Sequence, residues 1–203
     1  MTPRAPRRRT RFLRQSSRGP DRGARTGMHN DLSQGYFALF DLEPCFALAA
    51  ERLDRAYRAL ATRVHPDRFA HRDDAARRQS LMLATHANEA YRTLKKPVLR
   101  ARYLLGLRGV ETADKTALPP REFLIEQMEW REALADAKGV RDIVALERLD
   151  TTVRRRTEAL HDRLAHQLDA ENDHAGAAAT VHKLMFLEKL VAEIADASAA
   201  LED

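Results

Sequence analysis

The 203-residue chain has one cysteine, Cys45. That excludes an internal disulfide and any Cys-based zinc or iron–sulfur site built within one chain, and it fits a reducing, cytoplasmic setting. Valine and isoleucine together number 11, and glycine and proline 8 each, which leaves little material for a large sheet. No run approaches the ~20 apolar residues a membrane span needs, and the mean hydropathy is −0.53. No secretory signal is visible either, because no apolar stretch follows the basic N-terminal residues. Gly-rich phosphate loops, GxSxG and HExxH are all missing. The eight histidines do not converge: His161 and His166, five apart, fall on different helix faces, and the set reads as exposed and non-functional. Cys45, between Pro44 and Phe46, reads as a small, partly buried apolar residue rather than a nucleophile. No catalytic residue, metal site or cofactor is therefore expected.

What the chain does have is helix formers. Leucine (26) and alanine (34) dominate, which points to an all-α fold, and the length suits one or two modest domains. The charge is uneven. Residues 1–27 hold nine arginines and one acid, Asp21, a net of +8; taking this from the chain's +5 leaves −3 for the rest. The body is mildly acidic, which removes the main electrostatic argument for a nucleic-acid-binding domain. Residues 1–27 are too poor in apolar groups to offset ordering entropy and are expected to be disordered. A nucleic-acid-binding arm, a transit peptide and upstream translation ahead of Met28 all remain open for this tail, although prolines at 3 and 6 spoil an amphipathic transit helix.

From Tyr36 the sequence reads as helix after helix. A short apolar cluster ends at Glu43-Pro44. A helix over about 47–63 follows, in which Leu53, Ala56, Tyr57, Leu60 and Val64 form one stripe. His65-Pro66 must end it, since the residue before proline is pushed out of the α region. Asp73 or Asp74 can cap a third helix, about 75–94, whose inner face is expected to carry Leu81, Ala84, Asn88, Tyr91 and Leu94. Pro97 permits a fresh start. Residues 107–120, with Gly109 and Pro119-Pro120, read as a linker. Beyond it lie helical segments at about 121–137, 140–170 and 173–201. In the middle one, Leu146, Leu149, Val153, Leu160 and Leu164 keep the near-heptad spacing of an antiparallel three-helix bundle.

The most informative motif is Tyr57-Arg58-x-Leu60-x-x-Arg63-Val64-His65-Pro66-Asp67, followed by Asn88-Glu89-Ala90-Tyr91-x-x-Leu94. It closely resembles the J domain of DnaJ-type co-chaperones. Pro66 fixes its own φ and restricts His65, so the loop presents imidazole and carboxylate with little ordering cost on binding. The resemblance implies that His65, Pro66 and Asp67 engage a DnaK-class ATPase and trigger hydrolysis there. Asp67 would meet a basic group, with Arg52, Arg55, Arg58 and Arg63 supplying a steering surface. Val64 departs from the pattern, since J domains usually carry an aromatic there.

Phe69, the run from Pro97 to Gly109, Phe123–Glu132 and Lys183–Leu190 extend the match. Together they resemble the HscB family, the co-chaperones of iron–sulfur cluster assembly, over about residues 34–201. The division this implies is a J domain at 34–106, a linker at 107–120 and a helical bundle at 121–201. The helical phase itself suggests a client surface. At ~100° per residue, Phe123, Gln127, Trp130 and Leu134 point one way, while Leu124, Ile125, Met128 and Glu132 centre roughly opposite. One helix cannot bury both stripes in one small bundle, so the second, with Glu129, is a candidate exposed patch that Phe186 can join. The resemblance implies that Leu124, Ile125, Met128, Glu129, Glu132 and Phe186 bind an IscU-type scaffold, the chain acting as activator of an HscA-type ATPase rather than as an enzyme. Packing of these apolar residues between the two domains is the alternative. At the level of function the rivals are a J-domain co-chaperone for another client and a nucleic-acid-binding protein that uses the Arg-rich tail.

Overall fold

The computed structural model describes residues 35–69, 73–112 and 120–202. The Arg-rich stretch 1–27 and the Pro119 end of the 107–120 segment lie outside the described residues. Among those described, the regular elements are all helical: α1 (Tyr36–Leu39), α2 (Ala50–Arg63), α3 (Asp74–Lys95), α4 (Pro97–Leu107), α5 (Arg121–Gly139), α6 (Ile143–Ala165) and α7 (His174–Glu202). A 3₁₀ turn spans Pro66–Phe69, and a π-helical turn, His166–Glu171, extends α6. Among the described residues, no helix is long and apolar enough to cross a membrane.

Local chemistry sets the boundaries. Asp73 caps α3, its carboxylate accepting the Ala76 N–H at 2.7 Å, and Asp142 does the same for Ala145 at 3.0 Å. Pro97 occupies the first position of α4, where a missing N–H costs nothing. Asn172, at φ 54°, turns the chain out of the π-helical segment, and Asp173 accepts the Gly176 N–H at 2.9 Å to start α7. A Cβ on Gly176 would stand 1.9 Å from an Asp173 carboxylate oxygen, so a larger residue there must push that capping side chain aside.

Two cores form. The first joins α1, α2 and α3 through Phe37, Phe40, Leu53, Leu60, Leu83 and Leu94, and Val64 is buried within it at 3% exposure despite replacing an aromatic. The expected inner face of α3 is partly wrong. Leu81 is 60% exposed and Asn88 is on the surface, whereas Ser80, Leu83, Ala87, Ala90 and Leu94 face inward. Ala87 and Ala90 are fully buried, so packing follows their phase rather than that of the larger Leu81. The second core holds the anticipated α6 stripe, Leu146, Leu149, Val153, Leu160 and Leu164, together with Leu184, Leu187 and Ile194 of α7.

α4 belongs to both cores. Tyr103 stacks on Tyr36 of α1 at 4.4 Å and its hydroxyl accepts the Tyr36 N–H at 2.8 Å, while Val98, Ala101 and Leu105 are buried in the bundle. Phe46, from the loop before α2, is likewise buried in the bundle core. Asp169, carried on the π-helical turn, accepts the Phe46 and Ala47 N–H groups at 2.7 Å each. Arg100 lies over the Phe46 ring at 5.1 Å and donates to the Leu94 carbonyl at 2.7 Å. Asp169→Ala strands the part-buried Phe46 N–H, and the expected loss is about 1–3 kcal/mol in a urea titration. Asp169→Asn, which keeps an acceptor, loses less. Wild-type stability in the Ala variant would reject the clamp.

Contrary to the expectation of exposed histidines, His161 is half-buried beside this joint and its Nε2 has no partner. Burial, and then the charge of Arg100, hold its pKa below the usual 6.5. Between the folded and unfolded values the unfolded chain binds the extra proton, so stability is complete above about pH 6.5 and declines as pH falls. Acidification from pH 7.5 to 5.5 is therefore expected to lower the denaturation midpoint more in the wild type than in His161→Gln. Equal shifts would rule His161 out as a source of acid sensitivity.

Candidate functional site

The HPD tripeptide projects from the end of the α2–α3 hairpin. Its neighbours tie together the two helices that carry it. The Val64 carbonyl, at the end of α2, accepts the buried Ser80 hydroxyl of α3 at 2.7 Å. Farther along the hairpin, Tyr57 stacks on Tyr91 at 4.2 Å and donates to Asn88 at 2.7 Å, while Tyr91 donates to Asp54 at 2.8 Å. The motif residues Tyr57, Asn88, Tyr91 and Leu94 thus clasp the two helices, and the loop is left exposed at their junction.

Within the loop the Asp67 N–H donates to His65 Nδ1 at 3.4 Å, and the Arg68 N–H to the His65 carbonyl at 3.0 Å. The side chains themselves remain open: His65 is 59% exposed and Asp67 89%, with 3.6 Å between imidazole and carboxylate. Neither is committed to the fold, so both are available to a partner.

Arg52, Arg55, Arg58 and Arg63 are all exposed, but they do not form one cluster with His65. Arg58 lines a shallow groove with Ala61, Thr62, His65 and Arg68. Arg52 lies at the other end of α2, about 16 Å from Arg63 by helical rise, where its charge acts on the Cys45 thiol. Arg68, in the groove, was not singled out from the sequence, although it directly follows the tripeptide. Asp54, on the same helix, is turned toward Tyr91 and Lys95, and the charge of Arg58 also reaches it. The Tyr91 hydroxyl, and then Lys95, hold the Asp54 carboxyl below its ordinary range. Cys45 is half-buried, and burial, reinforced by Asp169, pushes its thiol up, as suits an inert residue.

The second surface lies on α5 and α7. Phe123 and Leu134 face the core as anticipated, and Trp130 packs against it. On the other side Ile125 is 47% and Met128 71% exposed, with Glu129 and Glu132 also in solvent and Leu124 half-buried. Ile125 and Met128 therefore do not pack between the two cores. Phe186 comes from α7 to the edge of this patch, stacking on Trp130 at 6.5 Å and meeting Phe123 edge-on at 5.9 Å. Leu124, Ile125 and Met128 leave apolar surface on α5 with Glu129 and Glu132 beside it, and Phe186 reaches α5 through Phe123 and Trp130.

Residues 119–195 match the family model described as the HSCB C-terminal oligomerisation domain. The chain is 46% identical over 175 residues to a protein of Azoarcus sp. named co-chaperone protein HscB homolog, covering 85% of this chain and 98% of that one. The chain belongs to the HscB family of co-chaperones. An HscB homolog of Ralstonia nicotianae is 45% identical over 86% of this chain and 99% of its own length. Among solved structures, the chaperone HscB from Vibrio cholerae superposes with a TM-score of 0.74 at 37% identity, covering 83% of this chain and all but 1% of that one. Human co-chaperone HscB gives 0.73 at 28% identity over 95% and 93% of the two chains. The all-α architecture of J domain plus helical bundle is thus that of the HscB family, and the molecule is a co-chaperone.

Proposed function

We propose that this HscB-family co-chaperone is an adaptor in iron–sulfur cluster assembly. It binds an IscU-type scaffold through Leu124, Ile125, Met128, Glu129, Glu132 and Phe186, and it presents that scaffold to an HscA-type, DnaK-class ATPase. His65, Pro66 and Asp67, with Arg58 beside them and Arg52, Arg55 and Arg63 along α2, engage the ATPase and stimulate hydrolysis there, so promoting cluster transfer in the cytoplasm. The working division is a J domain at 34–106, a linker at 107–120 and a scaffold-binding bundle at 121–201. The observation that supports this reading is the separation of two exposed surfaces. A polar, charged loop stands at the tip of one helical hairpin, and apolar surface is exposed on a different helix, α5. Two partners can be held at once without competing.

The test is steady-state ATP hydrolysis by the cognate HscA-type ATPase, with and without this protein and the scaffold. Stimulation that grows further when scaffold is added supports the reading. Stimulation indifferent to scaffold points to another client, and no stimulation rejects the ATPase role.

A further inference from the structure

Arg131 stands on the α5 stripe of the client patch, seven residues after Leu124 and three after Met128. Its guanidinium carbon lies 5.4 Å from the centroid of the Phe186 ring, and its terminal nitrogen 3.6 Å from Glu193 on α7. Glu193 also receives Lys189 at 3.8 Å, so the carboxylate is fixed from two sides. Phe186 is otherwise held by Trp130, whose ring is inclined at 21° to it, and by the edge contact with Phe123, inclined at 83°. Trp130 and Phe123 belong to the inner side of α5, whereas Arg131 is exposed, its side chain 51% open to solvent. Three α5 residues therefore define the attitude of one α7 ring, and the one on the solvent side is a cation.

We propose that Arg131 is a positioning residue for client binding: tethered by Glu193, its guanidinium seats the half-exposed Phe186 ring in the attitude that an apolar face of the scaffold protein packs against. This rests on the reading of the α5–α7 patch as the scaffold site. The physical advantage is pre-organisation. A half-exposed phenylalanine without this support must be ordered when the partner arrives, and that ordering is subtracted from affinity. A cation over the ring face supplies attraction while the remaining guanidinium donors stay hydrated. Replacement by lysine keeps the cation, and replacement by glutamine removes it.

The experiment is calorimetric titration of the IscU-type scaffold into the full-length protein, its Arg131→Gln, Arg131→Lys and Phe186→Leu variants, and the Arg131→Gln/Phe186→Leu double variant. The expected result is about fivefold weaker binding for Arg131→Gln, from the size of an exposed cation–π contact, and a change under about twofold for Arg131→Lys. In the Phe186→Leu background, Arg131→Gln is expected to change affinity by less than about twofold, because a residue acting through the ring has nothing left to act through. Equal losses in both backgrounds overturn the inference, since Arg131 would then touch the client directly or support the fold generally. Weakening by Phe186→Leu with none by Arg131→Gln also overturns it and leaves the scaffold site standing. If neither variant weakens binding, the scaffold site itself is refuted and the role of Arg131 with it.

Discussion

Replacing His65 with glutamine is expected to abolish stimulation of the HscA-type ATPase while leaving scaffold affinity and thermal stability at wild-type values. The separation follows from where the side chain sits. His65 is 59% exposed and belongs to neither core; its side-chain hydrogen bond, from the Asp67 N–H to Nδ1, can be made by the glutamine carbonyl oxygen. The hairpin is clasped elsewhere, by Ser80 on the Val64 carbonyl and by Tyr57, Asn88 and Tyr91. The substitution therefore removes an imidazole from the partner's reach without loosening the element that presents it. An interface residue of this kind is worth about 2 kcal/mol or more, roughly a 30-fold loss of productive docking. Hydrolysis measured at fixed ATPase concentration reads the loss directly. Undiminished stimulation by a folded His65→Gln protein would sink the HPD reading, and loss of scaffold binding alongside it would refute the division of labour.

The reverse phenotype is expected for Leu124→Ala combined with Phe186→Ala. Scaffold binding should weaken by about 30-fold to 1,000-fold, taking each truncation as an interface anchor worth about 1–2 kcal/mol. Stimulation of the ATPase in the absence of scaffold should survive. The two side chains are half-buried, and Phe186 touches both Phe123 and Trp130, so the pair also costs some stability. Met128→Ala separates the effects: at 71% exposure the side chain contributes little to the fold, and weaker scaffold binding by this variant with an unchanged melting midpoint locates the loss at the surface. Wild-type scaffold affinity in both proteins would remove the α5–α7 patch from consideration.

The parts of this molecule that were legible in the sequence are those whose cause is local. The stripes of α2 and α6 appear where leucines recur at helical spacing, and the break before the HPD loop is dictated by Pro66. The two faces of α5 separate by arithmetic alone. The inner face of α3 was misjudged because alanine, which is buried there, is a weak hydrophobic signal beside an exposed leucine. The joint was invisible for a different reason. Asp169 meets Phe46 and Ala47 across more than a hundred residues, from a π-helical turn within a segment that reads as one continuous helix, 140–170. Arg131 escaped notice as one charge on a helix full of charges, and only the approach of α7 gives it a ring to cover.

The helix common to the two cores has a consequence for how such a molecule can be rearranged. Here α4, the helix that follows the hairpin, carries Val98, Ala101 and Leu105 into the bundle and Tyr103 back onto α1. A chimera cut at residue 106 and grafted onto a foreign client-binding half would carry that apolar face away from the surface that covers it. The bundle left behind would open the groove in which α4 lies. The two halves must therefore change together, and modularity, where it exists in this family, ends at α4.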